Sequence, residues 1–182
     1  MRSSKNLTLV GNTLAKNYLT STFHYGKFPQ HLNHFGHDFP QKIHVQVEGD
    51  FIELVLLDTS HAETKARFRP DVFPLSDVIL AVFAIDNHDS LSYLEHEFHE
   101  EAIRRCPDTP VILVGTKSDL RGEKKQGLVT TEEVERVAAA IGAGDYVECS
   151  PKTKYKVEEV FAKAAKLALE ERPKKRKMCV VV

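Results

Sequence analysis

Short apolar runs alternate with longer amphipathic stretches along this chain. "NLTLV" (6–10) is apolar and closed by Gly11, which predicts a strand. In "KIHVQVEGDFIELVLLD" (42–58), Ile43, Val45 and Val47 alternate with polar residues before "EGD" turns the chain into "FIELVLL", so two hairpin-linked strands are expected. "DVILAVFAI" (77–85) lacks polar alternation, as a strand covered on both faces should. "PVILVG" (110–115) and "YVECS" (146–150) predict two more buried strands. Between them, "HDSLSYLEHEFHEEAIRRC" sets Leu91, Leu94, Phe98 and Ile103 near one helical stripe. "TTEEVERVAAAIGA" opens with a capping box, Thr130 with Glu133, and Gly142 closes it. "KVEEVFAKAAKLALEE" lays Val157, Val160, Phe161, Ala164, Ala165 and Leu167 on a broad apolar face.

Strands alternating with helices predict an α/β fold: a mainly parallel six-stranded sheet with one antiparallel edge strand and helices on both faces. Ligands of such sheets bind beyond the carboxyl ends of the strands, so the loops after Val10, Leu57, Val114 and Cys149 share one rim. The pattern holds no repeat and no second domain. Residues 1–171 read as one domain, and residues 172–182 as a disordered tail.

Charge sharpens that division. The formal net charge of −1 conceals a body, residues 1–171, with 20 basic against 26 acidic residues. Arg172, Lys174, Lys175, Arg176 and Lys177 give the tail its opposite sign. An acidic body argues against nucleic acid as a partner, and the tail should have a partner of its own. No apolar stretch approaches the ~18–20 residues that span a bilayer. "MRSSKN" runs straight into a strand, which predicts no secretory leader. Cys106, Cys149 and Cys179 show neither disulfide nor metal spacing, so a reducing compartment is expected.

The rim loops carry the candidate chemistry. After "LTLV" comes "GNTLAKN" (11–17); "DT" stands at 58–59, "GTKSDLR" at 115–121 and "ECSPKT" at 148–153. "RFRPDVFPLSDVILAVFAID" occupies 67–86, and the chain ends "CVVV". In this order and spacing, the chain resembles a Ras-superfamily small GTPase of the Rho family over nearly its whole length. The resemblance implies a P-loop fold that holds GTP or GDP with Mg²⁺. It implies partner docking around Arg67, Phe68, Arg69 and Pro70, and prenylation of Cys179.

Several motif positions depart from the family's pattern. A phosphate loop reads G-x4-G-K-[ST], its backbone N–H groups turned to the phosphates and its hydroxyl on Mg²⁺. Here Gly11 is present, but Lys16 follows one residue early, Ala15 replaces the second glycine, and Asn17 stands at the hydroxyl. A plain strand-to-helix turn is expected. Residues 24–58 contain no Ser or Thr, so the switch threonine is missing however the segment is aligned. "DTSHA" keeps Asp58 as a possible Mg²⁺ ligand through water, with His61 at the phosphate-sensing glycine and Ala62 at the water-orienting glutamine.

The base half is better kept. The resemblance gives Asp119 two hydrogen bonds from the guanine edge, sets the Lys117 stem over the base and packs Phe28 against it, within "TKSD" (Thr116 to Asp119). In "SPK" (Ser150, Pro151, Lys152), proline removes the N–H that the family's alanine gives to guanine O6, unless the Lys152 amide takes over. Losing the Mg²⁺ hydroxyl, the switch threonine and the O6 donor at ~1–3 kcal/mol each sums to ~3–9 kcal/mol, about 10²- to 10⁶-fold in affinity.

The expectation is a Rho-like pseudoGTPase with weak or no nucleotide binding and no GTP hydrolysis: no enzyme, no nucleotide cofactor, and a pocket that Tyr18, Phe35, Phe39 and nearby histidines help to fill or close. The alternative is an atypical guanine-nucleotide switch with slow or absent hydrolysis, using Lys16, Lys117 and Asp119. Partners would be Rho-type regulators or effectors. A lipidated, polybasic tail would add an anionic membrane at the cytoplasmic face, with a cytosolic pool and a monomeric body. His31, His34 and His37 lie in a loop marked by Gly36 and Pro40, and "HEFH" (96–99) misses zinc-protease spacing by one residue, so neither predicts a metal site.

Overall fold

A computed structural model describes residues 3–30, 42–58, 72–123 and 126–170. Its sheet has six strands in the order β2-β3-β1-β4-β5-β6. These are β1 (Ser3–Gly11), β2 (Lys42–Val47), β3 (Asp50–Asp58), β4 (Val78–Ala84), β5 (Val111–Thr116) and β6 (Ala143–Glu148). Only β2 runs antiparallel, paired to β3 through the hairpin; the remaining neighbours are parallel. The expected architecture is the observed one.

Alternation along the central strands sorts the core. Leu80 and Val82 of β4 face one apolar layer, with Leu7, Leu54 and Val114. Ile79, Ala81 and Phe83 face the other, with Leu113 and Val137. A strand covered on both sides has no place for polar alternation, which is why 77–85 reads as unbroken apolar sequence. The first layer is closed by α1 (Thr13–Tyr25) and by α6 (Val157–Leu169), whose Phe161 is fully buried against Phe23 with ring centroids 4.3 Å apart. Val157, Val160, Ala164, Ala165 and Ala168 complete the buried face of α6, and Leu167 packs partly against it.

The other layer is closed by α5 (Thr131–Ala140) and by the stretch predicted as one helix. That stretch is α2 (His88–Tyr93), a wider turn over Leu94–Phe98, and α3 (His99–Arg105). In the wider turn the His99 N–H donates to the Leu94 carbonyl, five residues back. The insertion keeps Leu91, Leu94 and Phe98 buried on one face. The side chain of Ile103 lies outside the described residues. Helix α5 begins as predicted, with the Glu133 N–H donating to Thr130 Oγ1 and the Thr130 N–H donating to Glu133 Oε2.

Candidate functional site

The carboxyl ends of β1, β4, β5 and β6 meet at one rim, and each contributes a short connection. The first is the tightest. Gly11 ends β1 with φ +103°, Asn12 caps, and α1 starts at Thr13. The Asn12 N–H donates to the Val82 carbonyl at 2.9 Å, which presses this turn onto β4. The Asn12 side chain then accepts the Ala15 N–H at 2.9 Å, and its backbone carbonyl accepts the Lys16 N–H at 3.0 Å. β1 thus passes into α1 through a short turn at Asn12. A helix N-terminus is a natural anion cradle, but here the chain's own amide oxygen takes one of the first free donors. Lys16 is buried, 1% exposed.

A cavity of about 280 Å³ opens beside this turn. It is lined by Ala15, Tyr18, Phe28, Asp86, Thr116, Lys117, Asp119, Leu120, Pro151 and Lys152. Tyr18, expected to help fill or close this space, is part of its lining. Its ring stacks on Phe28, centroids 4.7 Å apart at 13°, and so lies in the wall and leaves the cavity open. Phe35 and Phe39 lie outside the described residues.

The polar groups around the cavity are held in place. Ser150, fully buried, donates from Oγ to Asp119 Oδ1 at 2.6 Å, while Lys152 Nζ stands 3.6 Å from Asp119 Oδ2. Ser150 thus positions the carboxylate. Thr116 spends its hydroxyl on the Phe83 carbonyl at 3.0 Å. Lys117, in a left-handed conformation, places Nζ 2.8 and 3.0 Å from the Asp86 carboxylate oxygens. Sequence reasoning missed Asp86; its only signal was position, directly after the buried run 77–85 and hence on the rim.

A second brace joins the two base-side loops. Arg121 lies in α4 (Asp119–Gly122) and forks onto both Glu148 oxygens, its remaining arm reaching the Val129 carbonyl at 3.1 Å. The Tyr146 hydroxyl also donates to Glu148. Burial by itself would raise the Glu148 carboxyl, but the bonds from Arg121 and Tyr146 outweigh it and hold the group below its usual range. Burial pushes the thiols of Cys106 and Cys149 up to about 11 and about 12, so neither is a nucleophile here.

The open cavity fits a flat heterocycle, and the carboxylate on its wall fits neighbouring N–H donors. The anion side fits less well, because Asn12 occupies a helix donor. Asp58 ends β3, but its side chain, Arg67, Phe68, Arg69, Pro70, Cys179 and the three loop histidines lie outside the described residues. Among the described residues, no cluster of three His, Cys, Asp or Glu side chains forms a metal site. No helix among them is long and apolar enough to cross a membrane.

Comparison with known proteins decides the family, for the Ras family profile matches residues 6–170. The chain belongs to the Ras family. It is 42% identical over 149 residues to GTP-binding protein RHO1 of Candida albicans, covering 76% of this chain and 75% of that protein. It is 38% identical to GTP-binding protein Rho1 of Kluyveromyces lactis over a 197-residue alignment, 98% of this chain and 94% of that protein. Human Rho-related GTP-binding protein RhoB is 39% identical over 145 residues, 75% of this chain and 74% of that protein. These findings correct the expectation that the chain is no enzyme: it is a Ras-family small GTPase with Rho relatives named as GTP-binding proteins. The physical reason is one of extent. The departures concern a few motif positions, whereas the family match runs over residues 6–170.

Proposed function

We propose that this Rho-type small GTPase binds guanine nucleotide chiefly through the base, with a weak hold on the phosphates and slow turnover. One observation carries the reading: a carboxylate, Asp119, fixed by Ser150 at 2.6 Å on the wall of an open cavity of about 280 Å³. Asp119 takes the donor edge of guanine, and Tyr18, Phe28 and the Lys117 stem flank the ring. Gly11 and Lys16 would border the phosphates, and Asp58 would be the residue to hold Mg²⁺. Bound Mg²⁺ would supply charge neutralisation for the phosphates. Ala62 cannot orient water, which supports slow hydrolysis.

The protein acts as a signalling module. Arg67, Phe68, Arg69 and Pro70 engage regulators or effectors of Rho proteins. Cys179 carries a prenyl chain, and the five tail cations add attraction to anionic lipid at ~1 kcal/mol each near the surface. Together these place a monomer at the cytoplasmic face of a membrane, with a cytosolic pool.

The test is direct. Millimolar GDP should raise the melting temperature of the purified protein, since a ligand selective for the native state stabilises it. An unchanged melting temperature, with no nucleotide released on denaturation, overturns the reading. The phosphate side has its own test. In Asn12→Gly the Ala15 N–H is freed, at a capping cost of a few tenths of a kcal/mol. GDP affinity should then rise about 2- to 12-fold, the ~0.5–1.5 kcal/mol net worth of one ordinary hydrogen bond. Guanosine, which has no phosphate, should bind as before; an equal gain for guanosine removes the Asn12 explanation.

A further inference from the structure

The turn between β6 and α6 carries a cluster that the nucleotide reading leaves unused. In "PKTKYK" (151–156), Lys152, Lys154 and Lys156 alternate with Thr153 and Tyr155, and all five residues are exposed, Tyr155 to 54%. The turn is held to one shape. The Ser150 N–H donates to the Tyr155 carbonyl at 3.0 Å, the Thr153 N–H to Ser150 Oγ at 3.2 Å and the Lys154 N–H to the Pro151 carbonyl at 3.3 Å. Lys154 and Lys156 take φ of 65° and 55°, left-handed backbone that glycine would adopt with less strain. Little of the charge is neutralised. Lys152 stands 3.6 Å from Asp119 and Lys156 3.9 Å from Glu159, long pairs near the surface that are worth little. Lys154 makes no ion pair among the described residues. Glu158, on the first turn of α6, is the acid that opposes the cluster.

We infer that this turn is a second contact of the chain with an anionic bilayer, its lysines on the lipid headgroups and Tyr155 at the interface between them. Ammonium groups meet lipid phosphates and carboxylates while the lysine stems cover apolar surface. A tyrosine suits the boundary because one end of it is apolar and the other wet. The same sign of charge recurs in the tail, at Arg172, Lys174, Lys175, Arg176 and Lys177, so both segments are drawn to one surface. Geometry allows them to share it. The 13 residues of α6 separate turn from tail, about 20 Å at the helical rise. Residues 171–179 span ~30 Å when extended, enough to bring Cys179 level with the turn. A turn already fixed in shape loses little conformational freedom on docking. The inference rests on the tail-anchored reading above and adds which face of the body meets the membrane. Pro151 and Lys152 also line the nucleotide cavity, which therefore lies beside the lipid.

The chain contains no tryptophan, so Tyr155→Trp places a single one in the turn. The full chain with this substitution is mixed with phosphatidylcholine vesicles, and with vesicles containing about 30% phosphatidylserine, at ~0.1 M salt. Tryptophan emission should move to shorter wavelength on the anionic vesicles and stay in place on the neutral ones. Phe51→Trp, in a separate chain, reports an exposed position on β3 that should remain in water. Adding Lys154→Gln and Lys156→Gln to the Tyr155→Trp chain should weaken association about 5- to 30-fold at an unchanged melting temperature. Suppose the chain sediments with anionic vesicles, but emission from position 155 does not move and the two glutamines change association by less than about twofold. The inference is then overturned and the tail reading stands. An equal shift from Phe51→Trp also overturns it. A chain that ignores the anionic vesicles overturns both readings. A shift with polyglutamate and none with vesicles assigns the turn to an acidic protein and overturns the inference as well.

Discussion

Gly11→Ala is expected to destabilise the fold by at least about 3 kcal/mol. A Cβ built on this residue meets the Val82 carbonyl oxygen at 2.1 Å, and the backbone sits at φ +103°. The obstacle is main chain in the most buried strand, so it cannot swing aside as a flexible side chain would. The left-handed backbone adds strain of its own. Relief requires β1 and β4 to separate at their carboxyl ends, which also breaks the bond from the Asn12 N–H to Val82. For a chain of this size the loss should appear as a fall of about 6–12 °C in melting temperature. A variant melting within about 2 °C of the wild type would show that the turn has room that its geometry denies. The glycine is thus needed for strand packing here, whatever it does for a phosphate.

Asp119→Ala should reduce GDP affinity by about 10²- to 10⁴-fold, since two charge-assisted hydrogen bonds are lost at once. The stability cost should stay near ~1 kcal/mol, because the substitution leaves the buried Ser150 hydroxyl without its acceptor but opens no cavity in either apolar layer. The two effects separate cleanly. Titration with GDP reports the first, and thermal melting without nucleotide reports the second. Wild-type affinity in this variant would mean that the base is held elsewhere, and the proposed use of the pocket would fail. A folded variant that no longer responds to GDP is the expected outcome.

The two substitutions probe opposite halves of one rim, and they explain why altered motifs misled the reading of activity. Around Gly11 the departures are concentrated: a shortened turn, a missing glycine and a capping asparagine. Around Asp119, Ser150 aims the carboxylate and the Arg121–Glu148 fork ties the two loops together. Summing the lost Mg²⁺ hydroxyl, switch threonine and O6 donor gave an expected site emptied of nucleotide. The base half keeps its cavity because Tyr18 and Phe28 stack with each other and line the wall.

Residue pattern alone determined the order of strands and helices, the single antiparallel edge, the Thr130–Glu133 cap and the buried face of the last helix. Each of these follows from local periodicity or from groups three to four residues apart, which a sequence displays directly. The rim chemistry was legible as a set of residues: Lys117, Asp119, Ser150 and the shortened turn after Gly11. Tertiary structure decided what those residues do. That Asp86 holds Lys117, that Ser150 positions Asp119 and that the base-side cavity stands open all depend on packing between segments far apart in the chain. The wider turn at Leu94–Phe98 belongs with them, since a one-residue change in helical pitch leaves the apolar spacing nearly as it was and emerges only when the face must meet the sheet.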